Sequence, residues 1–433
     1  MNASYTRPRR WTLVLAGTVL QMGLGTVYAW SYWQTLLVNW YRWTYTQTAW
    51  AFSLSILTLG FSAVWAGYNL RRFGPRRLAT CGAALFSLGY LLGGLALYLK
   101  SLALFYFGYS VIGGIGIGLG YVTPVTTVAK WFPDKRGLVT GIVVMGFGFG
   151  AFAMSKGLAP LLIGMTRGNL ATVFVALGVL LGLIMIPTAA LIRDPPPNPA
   201  SSVPQAAIAV SGLDTNVRQC LLSGEFSRLW LMFFFNISAG ISIISMQSPL
   251  AQQVWRLKNP SIEPAILVSY GATLIAVSSL FNGVGRLFWG LVSDRIGRLT
   301  TLRIILCTQM VVFGLLMTEH DPWLFSAFIC YILLCFGGGF AVMPLAVSDV
   351  FGTPRMSVIY GSLLSAWALA GVAGPLLLAH LTDTYPDHAI IYSFLTGVLF
   401  LGAGIIVSFV SAMDRFQAPI TVHLAADGLH QIA

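Results

Sequence analysis

The sequence predicts an all-α membrane protein, with twelve transmembrane helices in two six-helix, pseudo-symmetric halves. Composition is the first reason. Of 433 residues, 57% are hydrophobic and 9% charged, whereas soluble domains carry about 25% charged residues. Length is the second. Apolar stretches of about 20 residues, enough for one helical crossing, recur from end to end, while the strands of a membrane barrel would alternate over about 10. Helices suit such stretches because they satisfy their own backbone hydrogen bonds where no water is available. Internal repetition is the third. "GYNLRRFGPRR" (67–77) is matched by "GLVSDRIGR" (290–298), and "WFPDKRG" (131–137) by "VFGTPRM" (350–356) at a similar interval. A duplicated six-helix unit places a binding site near the membrane midplane, with the two halves rocking around it.

The spans follow in order. The first, 11–39, comes after "MNASYTRPRR"; it is too long for a signal peptide and lacks a small-residue cleavage site, so it is expected to be retained. Span two (47–70) runs into the first basic loop, and span three (78–98) follows it. Span four (102–128) contains "GGIGIGLG", whose spacing is not G-x-G-x-x-G and which no strand precedes, so it reads as helix-packing glycine. Span five (137–160) contains "GFGFG", read the same way, and Lys156, read as an interface lysine that snorkels. Span six (170–192) ends at "RDPPPNP". Spans seven to twelve are 228–253, 266–293, 300–318, 322–348, 358–382 and 389–412. The proline-rich stretch and the short amphipathic piece behind it mark the boundary between halves. The expected domains are 1–192, a cytoplasmic linker 193–227, 228–415, and a cytoplasmic tail 416–433.

A net charge of +12 could suggest nucleic acid, but the position of the charges argues against it. Arg71, Arg72, Arg76, Arg77, Lys130, Arg295 and Arg298 belong to a large basic set on one side; the other side holds Arg42, Lys100, Arg167, Arg256 and Lys258. This is the positive-inside bias, so both termini are expected in the cytoplasm of a plasma (inner) membrane. The five cysteines lack C-x-x-C spacing and imply neither a disulfide framework nor a zinc site. No H-E-x-x-H, nucleophile–base pair or metal spacing occurs, so no enzyme, metal or cofactor is expected.

One residue breaks the pattern. In "FNGVGRLFWGLVSDRIGR" (281–298), Arg286 lies eight residues before Asp294, about 12 Å along a helix in a hydrocarbon core about 30 Å thick. A cation at that depth costs ~2.5–3.5 kcal/mol and belongs against a cavity or a partner. All acidic residues fall in loops, tails or helix ends, so an anionic substrate is the expected counter-ion, its carboxylate matched to the two-donor fork of a guanidinium. Ser278, Asn282, Arg286, Trp289 and Ser293 share one helical face, which reads as the wall of a pathway, with interhelical hydrogen bonding as the alternative.

The loop motif G-x-x-x-D-R-x-G-R after span eight, with "WFPDKRG" and "SDVFG", resembles the major facilitator superfamily and, within it, the oxalate/formate antiporter family, bacterial relatives of the monocarboxylate transporters. The resemblance covers nearly the whole membrane portion and implies the major facilitator fold. It assigns a conformational motif to Gly67 and Arg72 after span two and to Gly290, Asp294, Arg295 and Arg298 after span eight. Arg71 stands where the first copy usually has Asp, so the second copy should matter more. Arg286 matches the substrate-binding arginine of helix eight. Trp367 ("YGSLLSAWALAG") stands where oxalate carriers have a second cation, a lysine, which implies a monocarboxylate. Tyr28 and Trp30 ("GTVYAWSYW") and Tyr121 match cavity positions. Phe336 and Phe340 ("CFGGGFAVMP") replace Trp and Tyr, which suits a substrate with an apolar end. Asn282 occupies a position where animal-type carriers have Asp.

The function expected is secondary active transport of a small monocarboxylate of the L-lactate or pyruvate type, by proton symport and alternating access. Oxalate/formate-type anion exchange is the alternative; a carboxylate sensor or an anion channel ranks below it. The expected partners are the small organic anion, protons and the lipid bilayer, without nucleic acid, and the protein is expected to be a monomer.

Overall fold

A computed structural model describes residues 10–132, 136–196, 213–352, 356–385 and 388–410. Among the described residues twelve helices are long and apolar enough to cross a membrane: α1 (Arg10–Tyr41), α2 (Tyr45–Phe73), α3 (Pro75–Tyr98), α4 (Leu102–Trp131), α5 (Leu138–Met165), α6 (Leu170–Ala190), α7 (Gly224–Lys258), α8 (Pro264–Ile296), α9 (Arg298–Leu316), α10 (Pro322–Phe351), α11 (Val358–Thr384) and α12 (Ile390–Phe409). All twelve expected spans are there. Most run a few residues past their apolar stretch, because caps rather than hydropathy end a helix. At the start of α2, Thr44 accepts from the Gln47 N–H while the Gln47 side chain accepts from the Thr44 N–H, a reciprocal capping box. Helix α7 begins at Gly224, inside the stretch expected as linker, with Ser223 as its N-cap. The amphipathic piece before it is helical over Leu213–Leu221.

The repeat is visible in the backbone. Gly74 ends α2 with φ +76° and Gly297 ends α8 with φ +86°. Both are left-handed positions that a residue with a Cβ resists. Each turns the chain at once into the next helix, so the two basic loops have the same shape in both halves.

Within the halves, α3 packs on α6 and α4, α8 on α10, and α9 on α12; between the halves, α2 crosses α11 and α5 crosses α8. Small residues make these crossings close. Gly60 faces Ala368, Gly361 faces the Gly67 backbone, and Gly148 faces the Gly283 backbone. Lipid gives apolar side chains no reason to prefer a neighbouring helix, so close backbone approach and van der Waals contact carry such crossings.

Three spans leave regular α geometry. Residues Thr26–Ala29 of α1 tighten into a 3₁₀ turn, and Tyr106–Ile112 of α4 and Ala153–Leu158 of α5 widen into π-helix. Such irregularities re-aim side chains. The turn in α1 coincides with backbone contact on α5: a Cβ on Gly25 would collide with the Phe147 carbonyl, and one on Gly150 with the Gly25 and Thr26 backbone.

Candidate functional site

Arg286 projects from α8 into the seam between the halves. It is 2% exposed, and none of its three guanidinium nitrogens has a hydrogen-bond partner. No ion pair among the described residues involves it. Rings face it instead: its Cζ lies 5.0 Å from the centre of Phe340 and 5.8 Å from that of Phe147. A desolvated cation–π contact contributes about 2 kcal/mol. Removing a guanidinium from water costs several kcal/mol, so two rings offset the burial only in part. A carboxylate that takes two parallel N–H bonds is the ligand best able to complete it.

The surroundings are aromatic with a few polar tips. Tyr28, delivered by the 3₁₀ turn of α1, meets Phe147 edge-on at 5.1 Å, Phe336 at 5.8 Å and Trp367 at 6.4 Å. From α4, Tyr121 lies 5.2 Å from Phe147 and 5.3 Å from Trp367. Phe340 on α10 lies 4.8 Å from Trp367 of α11 and 5.3 Å from Phe336. Five helices thus close a cage of rings beside one cation. Its polar atoms are the Tyr28 and Tyr121 hydroxyls and the Trp367 indole N–H, with the Asn282 Oδ1 adjoining. Asn282 sits one turn before Arg286, where α8 meets the backbone of α10 at Gly337. An anion held by Arg286 would find hydroxyl and indole donors for its oxygens and ring faces for its carbon end.

The model of the Major Facilitator Superfamily matches residues 10–375. The chain belongs to this superfamily. It is therefore a membrane transporter and not an enzyme. The oxalate:formate antiporter of Oxalobacter formigenes is 29% identical over 84% of this chain and 83% of its own length. The apicoplast pyruvate carrier 1 of Toxoplasma gondii is 28% identical over 87% of this chain and 84% of its own. A crystal structure of a D-xylose-proton symporter superposes with a TM-score of 0.72 at 14% identity, covering 92% of this chain and 96% of the other; at that identity the likeness concerns the fold alone.

In this facilitator chain, Arg286, Tyr28, Tyr121, Phe336, Phe340 and Trp367 come together, with Asn282 adjoining. Trp30 does not join them. Its ring packs with Phe52, Phe105 and Tyr109 in the interior of the first half, because the turn that aims Tyr28 at the seam carries Trp30 to the other side of α1. The polar stripe of α8 is buried along its length, and Ser278 donates to Gln247 of α7 at 2.8 Å. Lys156 is exposed and donates to the Thr273 hydroxyl of α8 at 2.6 Å.

Among the motif residues, Arg298 binds Asp294 and Ser293 and reaches Asp349 at the end of α10, at 3.2 Å. Arg295 is exposed. A Cβ on Gly290 would meet nothing within 4 Å. Gly67 lies against Gly361, and the Arg72 guanidinium lies over the Phe73 ring at 5.4 Å.

Two residues at the site escaped the sequence reading. Phe147 is the first phenylalanine of "GFGFG" (146–150), a stretch whose glycines alone carry a sequence signal. Tyr360 lies within electrostatic reach of Arg286, Tyr121 and Tyr28. It precedes Trp367 by two helical turns, a spacing that put it on the Trp367 face from the outset.

Proposed function

We propose that the protein carries a small monocarboxylate of the L-lactate or pyruvate type together with a proton, by alternating access between halves 1–192 and 228–415. The observation that carries this reading is the buried Arg286 guanidinium, a single cation without a hydrogen-bond partner inside a cage of rings. One cation suits one carboxylate. Trp367, Phe336 and Phe340 leave the far end of the ligand against apolar faces, which suits a methyl group better than a second carboxylate. The names of the relatives, an oxalate:formate antiporter and a pyruvate carrier, point to the same class of small organic acid. Loading neutralises Arg286 and favours closure, because only differential affinity for the closed form shifts such an equilibrium. The proton travels with the carboxylate. In this reading the protein is a monomer of the plasma (inner) membrane with both termini cytoplasmic; the tail expected over 416–433, and residues 197–212 of the expected linker, lie outside the described residues.

A specific observation favours a second reading, anion exchange of the oxalate/formate type. No carboxylate or histidine among the described residues is buried, and Asn282, one turn from Arg286, does not titrate. The test is reconstitution into liposomes with a panel of labelled C1 to C4 acids, with and without a pH gradient. Lactate or pyruvate uptake driven by the gradient supports symport, whereas uptake only into preloaded vesicles supports exchange. Arg286→Ala and Arg286→Lys should each abolish saturable uptake; uptake that survives both removes Arg286 from the site.

A further inference from the structure

The two rings that face Arg286 come from opposite halves. Phe340 is on α10, in the same half as Arg286, whereas Phe147 is on α5, in the other. The cation is therefore enclosed by protein from both sides of the seam along which the halves must part. Phe147 is fully buried, and its backbone is held from two directions. A Cβ on Gly25 of α1 would collide with its carbonyl, and the adjacent Gly148 rests on the Gly283 backbone of α8, three residues before Arg286. The ring also touches Tyr28, Tyr121 and Trp367, so its position relative to the guanidinium is set by four neighbouring elements.

A guanidinium shut into a dry seam needs negative potential around it. A bound carboxylate supplies this fully and an aromatic face supplies it weakly. The difference separates two transport cycles. An exchanger closes with cargo in both directions, whereas a carrier of net flux must also close and return without cargo.

Resting on the reading that the anion binds Arg286, we infer that Phe147 is the positioning residue that lets the halves close on Arg286 when no anion lies between them, so that it governs net transport separately from exchange. Phe340 stays beside the cation as the halves move, but Phe147 meets it only on closure. A contact made in one state alone is the kind that shifts the balance between states.

The experiment compares wild type with Phe147→Leu, Phe147→Met and Phe147→Tyr in liposomes, using whichever of labelled lactate, pyruvate, formate or oxalate the wild type exchanges. Exchange is measured in preloaded vesicles and net uptake in empty ones, on protein shown to be monodisperse. Phe147→Leu and Phe147→Met should lower the ratio of net uptake to exchange at least tenfold, because net uptake falls further than exchange does. Phe147→Tyr, which keeps the ring, should restore net uptake. Equal loss of both rates marks a packing role and overturns the inference, as does net uptake that ignores the substitutions. A wild type that only exchanges removes the symport reading, and the inference with it. Net uptake by wild type, undiminished in the leucine and methionine variants, overturns the inference alone.

Discussion

Asp383, at the end of α11, accepts hydrogen bonds from both the backbone N–H and the hydroxyl of Thr46, at 2.8 and 2.6 Å, in the first turn of α2. The two residues belong to opposite halves. The bond therefore joins the halves on the face opposite the basic loops, and it places a carboxylate at a helix N-terminus, where the backbone dipole favours negative charge. Deeper in the same seam, the Thr35 hydroxyl of α1 meets the Ser248 hydroxyl of α7 at 3.5 Å.

The first prediction is that Asp383→Ala loosens this face. Hydrogen bonds to a charged group contribute about 1.5–3 kcal/mol when buried, but Asp383 is exposed, so about 1 kcal/mol is a fair discount, or roughly fivefold in the open population. A cysteine placed at Ser248, which is 1% exposed, should react several-fold faster with a membrane-impermeant thiol reagent in the Asp383→Ala background. Unchanged labelling would mean that the contact does not hold the face closed.

The α5–α8 crossing makes the second prediction. A Cβ on Gly148 would come within 2.6 Å of the Gly283 Cα, a collision with backbone that no side-chain rotation relieves. Overpacking of this kind costs about 1–3 kcal/mol. Because the crossing joins the halves, that cost falls on the closed forms. Gly148→Val should cut exchange at least tenfold in the liposome assay and Gly148→Ala less. If the valine variant exchanges at the wild-type rate, α5 and α8 do not need this approach.

The third prediction concerns Arg298. Its partners Asp294 and Asp349 have side chains 58% and 60% exposed, and exposed ion pairs contribute about 0–1 kcal/mol each. These pairs tie α8, α9 and α10 within one half. Arg298→Gln should therefore lower thermal stability by only about 1 kcal/mol, and the difference should shrink at about 1 M salt, where charges are screened beyond ~3 Å. A large loss that salt does not alter would point to the Ser293 contact instead.

The span pattern was legible because a bilayer imposes one length and one polarity on every crossing, and the repeat could be read from two loop motifs. Arg286 stood out for the same reason: a cation at mid-depth has no bland position. The far neighbours of that cation were harder to see. Phe147 is one of 27 phenylalanines, and only its placement by Gly25 and Gly148 distinguishes it. Trp30, two residues after Tyr28, is expected at the cavity from the family resemblance alone, whereas the local 3₁₀ turn sends the two rings to different sides of α1. Such turns arise from backbone contact between helices distant in sequence, so residue spacing along α1 cannot report them.

The fourth prediction tests Trp367, the position at which the resemblance to oxalate carriers implies a lysine. The indole is fully buried and lies 4.8 Å from Phe340 and 5.3 Å from Tyr121, so Trp367→Lys puts an ammonium group into the same cage as Arg286. Two cations in one dry site repel each other, and the ligand-free variant should melt earlier than wild type. A ligand that binds the folded state raises stability by RT ln(1 + [L]/Kd), about 2.7 kcal/mol at a hundredfold excess over Kd. Oxalate, with a carboxylate for each cation, should then stabilise the variant far more than lactate does, while wild type should show the reverse order. A shift of at least tenfold in the ratio of oxalate to lactate affinity, read from the two melting curves, is the expected result. If the order of the two ligands is the same in both proteins, residue 367 does not face the second end of the substrate, and the preference for one carboxylate must come from the phenylalanines of α10.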